Sequence, residues 1–266
     1  MAAGGAELKF LLLSEDSGKH WPTVQQRIVR LLLRSIDEEA DLHRVSFDPV
    51  DDESVRRALC ANRWREHKKD APFEESFRLL LASIATHVAQ STHFCSFHYD
   101  GDRPWAARST STSDADFERV VRARLRHFIA QRLETNGVAP EERDERVQRM
   151  LDRVLPVVPY YSIEAWLFQN TAALRVACES RSAEANVVRA CHEQCDAWEA
   201  DRALLDEVEQ VKEQVCAKDS ANDALASSLT NSVFDAVIAA DKSLAATRER
   251  WARCALLRQA LAAVHR

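Results

Sequence analysis

Leu8-Lys9-Phe10-Leu11-Leu12-Leu13-Ser14-Glu15-Asp16-Ser17-Gly18 decides the architecture. An apolar run of strand length stops at two carboxylates and a glycine. The run lacks polar alternation, so it reads as a strand buried on both faces, as in a parallel sheet. A second run, Phe94-Cys95-Ser96-Phe97-His98-Tyr99, stops in the same way at Asp100-Gly101-Asp102. The chain has 5 glycines (Gly4, Gly5, Gly18, Gly101 and Gly137), and two of the three beyond the leader lie in these acidic turns. Both runs therefore deliver carboxylates at a strand's carboxyl end, where open α/β sheets bind ligands. Carboxylates gathered there need protons, cationic partners or a metal ion. A hard cation such as Mg²⁺ takes oxygen ligands of this kind.

Composition narrows the class. The 266 residues are 46% hydrophobic and 29% charged, the balance of a soluble globular chain. A formal charge of -6 argues against a broadly basic nucleic-acid binder, so any such binding needs a local patch. No apolar run is long enough for a membrane span or a signal-peptide core, so no membrane partner and a cytoplasmic location are expected. The 7 cysteines are odd in number and sit mostly in helical patterns, which predicts reduced, buried, unpaired thiols.

Strands alternate with helices along the first part of the chain, predicting an α/β fold with a mainly parallel sheet flanked by helices. After a loose leader at 1–7, a strand runs from Leu8 to Ser14. A helix beginning near Pro22 carries Val24, Ile28, Leu31, Leu32 and Ser35 on one face. A weak strand covers Arg44 to Phe47, and a short helix Ser54 to Cys60. Pro72 opens a helix with Phe73, Phe77, Leu80, Leu81, Ile84 and Val88 at helical spacing. Asp114 is the expected N-cap of a helix ending at Asn136-Gly137. Another helix spans about Glu141 to Arg153. Val154 to Pro159 holds two prolines and reads as a short strand, at an edge or interrupted. From Tyr160 onward the chain has no Pro or Gly and apolar residues recur at helical spacing, as in Val208, Val211 and Val215, predicting an all-helical extension with breaks near Asp219 and Asn231.

Glu15 after the first strand and Asp100-Gly101-Asp102 after a later one resemble the Toprim fold, shared by topoisomerases, primases and overcoming-lysogenization-defect nucleases. Ser162-Ile163-Glu164-Ala165-Trp166-Leu167 is similar to a third acidic motif of nuclease-type and stand-alone Toprim proteins in bacterial defence loci. The resemblance covers about 8–170. It implies a Toprim-like catalytic domain at 1–170 and a helical extension at 171–266. Glu15, Asp100, Asp102 and Glu164 are then the catalytic, metal-holding residues, with Mg²⁺ or Mn²⁺ as cofactor. Glu15 and Asp100 share one ion, and Asp102 and Glu164 hold or bridge another. Two ions about 4 Å apart suit phosphodiester cleavage of DNA or RNA. Anti-phage or anti-plasmid defence is the implied setting, an ATPase subunit an implied partner, and a homo-oligomer or hetero-complex the implied assembly. The separation of Glu15 from Asp100 is longer than in compact Toprim domains, which places an insertion in the charged segment before Pro72.

Lys19 and Arg103 flank the acidic turns and are candidates for contacting phosphate. Arg63-Trp64-Arg65-Glu66-His67-Lys68-Lys69 is the best basic patch: Arg63, Lys68 and Lys69 can grip phosphates while Trp64 stacks a base. The competing reading is a solvated face. Arg122, Arg124, Arg126 and Arg132 lie mostly off the apolar face of their helix and read as surface. Cys191 and Cys195, with Cys178 and Cys216, lack the paired spacing of a structural zinc site. A phosphate-binding glycine loop and a Gly-x-Ser-x-Gly elbow are both missing from the sequence. The rival to a nuclease is a non-catalytic Toprim-derived sensor or interaction subunit of a defence complex. A phosphotransferase or phosphohydrolase acting on a small nucleotide is a third possibility.

Overall fold

The computed structural model describes residues 7–16, 21–60, 64–65, 71–101, 112–159, 162–207 and 220–265. Four strands, β1 (Leu8–Ser14), β2 (Val45–Pro49), β3 (His93–His98) and β4 (Val154–Val157), form one all-parallel sheet in the order β2-β1-β3-β4. The α/β class and the helical C-terminal region are those expected. β4 takes an edge, where Pro156 removes no interior ladder donor. β1 and β3 are central, which is why their sequences are apolar almost throughout. Their register sets Leu11 opposite Cys95 and Ser14 opposite His98.

Side chains alternate across the sheet, and each face has its own core. Phe10, Leu12 and Phe94 point into one core, which α1 (Trp21–Ile36) covers through Val24, Ile28, Leu31 and Leu32. Leu11, Leu13, Cys95 and Phe97 point into the other. Helices α2 (Glu53–Leu59) and α3 (Ala71–Val88) pack there, and all six predicted apolar positions of α3 are buried. The chain from α4 (Ser113–Asp116) passes through a π-helical turn (Phe117–Arg122) into α5 (Ala123–Thr135). Asn136 caps α5, and Gly137 follows at φ 75°, a left-handed position that favours glycine. Helix α6 (Pro140–Leu151) leads into β4.

The C-terminal helices complete the first core. They are α7 (Glu164–Leu167), α8 (Thr171–Arg181), α9 (Ala185–Ala200), α10 (Ser220–Ser228), α11 (Asn231–Ala240), α12 (Lys242–Arg253) and α13 (Ala255–Ala262). Trp251 of α12 stacks on Phe10, with ring centroids 6.0 Å apart, and its indole N–H donates to the Pro156 carbonyl at 2.8 Å. Trp166 of α7 donates to Ser243 at 2.8 Å. Helices α8 to α13 thus share a hydrophobic core with β1, β3 and α1. Among the described residues, no helix is long and apolar enough to cross a membrane.

Three expectations are corrected. Asp114 is not an N-cap: Thr112 precedes the helix, and Asp114 accepts the Tyr99 hydroxyl at 2.9 Å. Trp64 is fully buried against Phe97, Tyr99 and Phe117, because its large ring gains more from that core than from water, so it has no face to offer a base. Cys178 and Cys191 form a disulfide between α8 and α9, where helix packing brings their Cα atoms to 6.8 Å. Leader residues 1–6, Gly18, Val208, Val211, Val215, Cys216 and Asp219 lie outside the described residues.

Trp251→Ala removes the ring that covers Phe10 and leaves the Pro156 carbonyl unpaired. It is expected to lower the stability of the full chain by about 3–5 kcal/mol, read from the denaturant midpoint. A loss below about 1 kcal/mol would show that α12 is not part of the sheet's core.

Candidate carboxylate site at the strand ends

The order β2-β1-β3-β4 makes a switch point between β1 and β3: the connection from β1 runs to β2 on one side, and that from β3 to β4 on the other. The crevice beyond the carboxyl ends at such a point is the ligand position of open α/β folds. Glu15 follows β1 directly and Asp100 stands two residues beyond β3. Register sets Ser14 beside His98, and the Glu15 N–H continues the ladder to the His98 carbonyl at 3.2 Å. Behind them, the buried Gln25 amide of α1 donates to the Leu13 carbonyl at 2.9 Å and the Ser96 carbonyl at 3.1 Å, tying the two strands together.

Glu15 is only 7% exposed. Arg65 donates to Oε1 at 3.1 Å and to Oε2 at 3.0 Å. Trp64 Nε1 adds a bond to Oε2 at 3.2 Å, and the Asp100 N–H one to Oε1. These four contacts come from three donor groups, Arg65 Nη2, Trp64 Nε1 and the Asp100 N–H. Arg65 also donates to the Asp100 carbonyl at 2.6 Å and to Ser113 Oγ at 3.0 Å, and its guanidinium lies over the Trp64 ring at 4.8 Å. A planar group that donates to Glu15, Asp100 and Ser113 while stacking on an indole is particular to arginine.

His98, 2% exposed, stands between carboxylates. Its Nδ1 is 2.8 Å from Ser14 Oγ and 3.5 Å from Asp16 Oδ2, and its Nε2 is 3.4 Å from Asp100 Oδ1. Neither His98 Nε2 nor Asp100 Oδ1 completes a hydrogen bond, although both are buried. Glu164 opens α7, is 5% exposed, and accepts from the Asn222 amide of α10 at 2.8 Å. Its charge reaches Asp100. The fold therefore brings Glu15, Asp100 and Glu164, from three distant segments, into one electrostatic neighbourhood.

The balance of charge follows. Burial pushes the Glu15 carboxyl up to about 7, with Asp100 adding to the rise, against Arg65, the Asp100 N–H and His98. Burial also raises Asp100, to about 6, aided by Asp16 and Glu164 and opposed by His98. For His98, burial favours the neutral ring, but Asp100, Asp16 and Glu15 outweigh it and hold the imidazolium up to about 9. Protons and the Arg65 cation thus offset the carboxylates.

The donor set bears on the implied metal. The Asp100 and Glu164 carboxylates are hard oxygens of the kind Mg²⁺ or Mn²⁺ takes, with Asp100 Oδ1 held 3.4 Å from His98 Nε2 and Glu164 Oε1 accepting from Asn222. Glu15 ligates a cation only by giving up Arg65, Trp64 or the Asp100 N–H. Among the described residues, no group of three or more His, Cys, Asp or Glu is arranged as a metal site. Asp102, Lys19, Arg103, Arg63, Lys68 and Lys69 lie outside the described residues.

His98, Arg65 and Asn222 are the residues that sequence reasoning passed over. His98 had a usable signal: on the Phe10 and Phe94 face, both central strands turn polar at their carboxyl ends, at Ser14 and at Ser96 and His98. Arg65 belongs in sequence to the basic patch at 63–69, but its side chain turns inward onto Glu15. Asn222 carries no local signal.

The pH dependence follows with a definite sign. Glu15 titrates near 7 folded against 4.5 as a free side chain, Asp100 near 6 against 3.8, and His98 near 9 against 6.5. In each window the folded chain holds a proton that the unfolded chain has released, so these groups make stability fall as pH rises. Glu15→Gln should flatten the fall between pH 4.5 and about 7, and His98→Asn that between 6.5 and about 9. Chemical denaturation across pH checks this; unchanged slopes in both variants would contradict the charge balance.

No family model, no curated protein and no solved structure matches the chain.

Proposed function

We propose that this chain is a divalent-metal-dependent phosphodiesterase acting on DNA or RNA. The observation that carries the reading is the placement of Glu15 and Asp100 together at the sheet's switch point, with the Glu164 charge acting on Asp100. The resemblance of the same three motifs to Toprim nucleases supports it, and adds Asp102 as a fourth ligand. Asp100 and Glu164 would hold Mg²⁺ or Mn²⁺, and such an ion supplies an activated water and stabilises a leaving oxygen. His98 orients the Asp100 carboxylate. Arg65 holds Glu15. A role in defence against phage or plasmids, an ATPase partner and an oligomeric assembly rest on the resemblance alone.

A second reading is favoured by one observation. The four donor contacts to Glu15 make it a structural tie between β1 and β3, as in a scaffold that senses or docks without turnover.

Cleavage assays on plasmid, linear duplex, single-stranded DNA and RNA with Mg²⁺ or Mn²⁺ test both. Metal-dependent cleavage is expected. His98→Gln should lower it by about 10- to 100-fold, and Asp100→Asn by more. Cleavage undiminished in Asp100→Asn rejects the proposed site. Metal binding without cleavage of any substrate rejects the enzyme in favour of the scaffold.

A further inference from the structure

At the opposite end of the sheet, α5, α6 and the C-terminal part of α3 enclose a cleft of about 430 Å³, a size that takes a small organic ligand. Ser91 and Arg153, which precede β3 and β4, line it, so it is separate from the carboxylate crevice. Arg132, Arg146, Arg149 and Arg153 stand in its wall, and among the described residues lining it there is no carboxylate. Four cations round one cleft are conspicuous in a chain of net charge -6.

The partners of these arginines leave the cleft positive. Arg153 is 9% exposed; it donates to the Val88 carbonyl at 3.1 Å, and its buried Nε makes no hydrogen bond. Arg132 donates to the Thr86 hydroxyl at 2.7 Å, another neutral partner. Arg146 and Arg149 pair with Glu142 and Glu145 one turn back on α6, at 2.7 Å and 3.4 Å. Those are exposed pairs of the kind that contribute little and that a stronger anion displaces. Guanidiniums in this density suit phosphate, which they grip bidentately. Ala89, Leu133 and Met150 give the cleft an apolar floor that a bare inorganic anion would leave uncovered. Guanidinium planes stack on aromatic rings, and the Asn136 amide offers a donor and an acceptor to a base edge.

We propose that this cleft binds a nucleoside phosphate, with its phosphates on Arg132, Arg149 and Arg153 and its base and sugar over Ala89, Leu133 and Met150. The ligand is either a free nucleotide or the phosphorylated end of a polynucleotide. The site does not depend on the carboxylate crevice or on the activity proposed for it.

Calorimetric titration of the full chain in EDTA, with ADP, pyrophosphate, adenosine and a short 5′-phosphorylated oligonucleotide, tests this. ADP should bind more tightly than pyrophosphate, and adenosine should not bind. The double variant Arg132→Gln/Arg149→Gln changes two exposed side chains, so the fold is kept, as circular dichroism can verify. It should weaken ADP by at least about tenfold, while Asp100→Asn leaves ADP unchanged. Competition of the oligonucleotide with ADP identifies a polynucleotide end as the source; ADP binding without that competition identifies a free nucleotide. The proposal is overturned if ADP fails to bind, if the double variant binds it as well as the parent chain, or if pyrophosphate binds as tightly as ADP.

Discussion

The ion pair of Arg65 with the buried Glu15 carboxylate is the constraint on which the rest of the site depends. A carboxyl group out of water is tolerated only when donors replace its hydration or a proton neutralises it. Arg65, Trp64 and the Asp100 N–H supply those donors. They also fix the end of β1, the end of β3 and the segment at Trp64–Arg65 relative to one another. Trp64 is held by Phe97, Tyr99 and Phe117 beneath it, so the second core sets the position of the donors to Glu15.

His98 plays the matching part on the other face. Its imidazolium stands among Asp16, Asp100 and Glu15, and without that charge the carboxylates would face one another uncompensated. Proton retention and metal binding are alternative solutions to the same repulsion. Helices α10 and α12 enter this balance as well as the core, since Asn222 of α10 fixes Glu164 and Trp251 of α12 covers Phe10. The crevice is therefore built jointly by the sheet and the C-terminal helices.

The fold was readable where burial imposes a simple pattern. Central strands buried on both faces must be apolar, so Leu8–Ser14 and the run at Phe94 announced themselves, and the carboxylates ending them marked the crevice. Amphipathic α3 and the edge strand with Pro156 were legible for the same reason. What escaped depends on tertiary geometry. Arg65 sits in a charged stretch without periodicity, and only the packing of Trp64 turns it toward Glu15. Asn222 is 58 residues from Glu164. The Cys178–Cys191 disulfide joins helices whose mutual packing local spacing does not encode.

The central claim is that Asp100 and Glu164 share a pocket able to hold a hard divalent cation. Crystals of the full chain soaked in Mn²⁺, with anomalous scattering recorded above the manganese edge, test it most directly. The account predicts an anomalous peak bonded to Asp100 Oδ1 and a Glu164 oxygen, beyond the carboxyl ends of β1 and β3. A fully soaked crystal with no peak in that crevice, or with Glu164 turned away from Asp100, would contradict it.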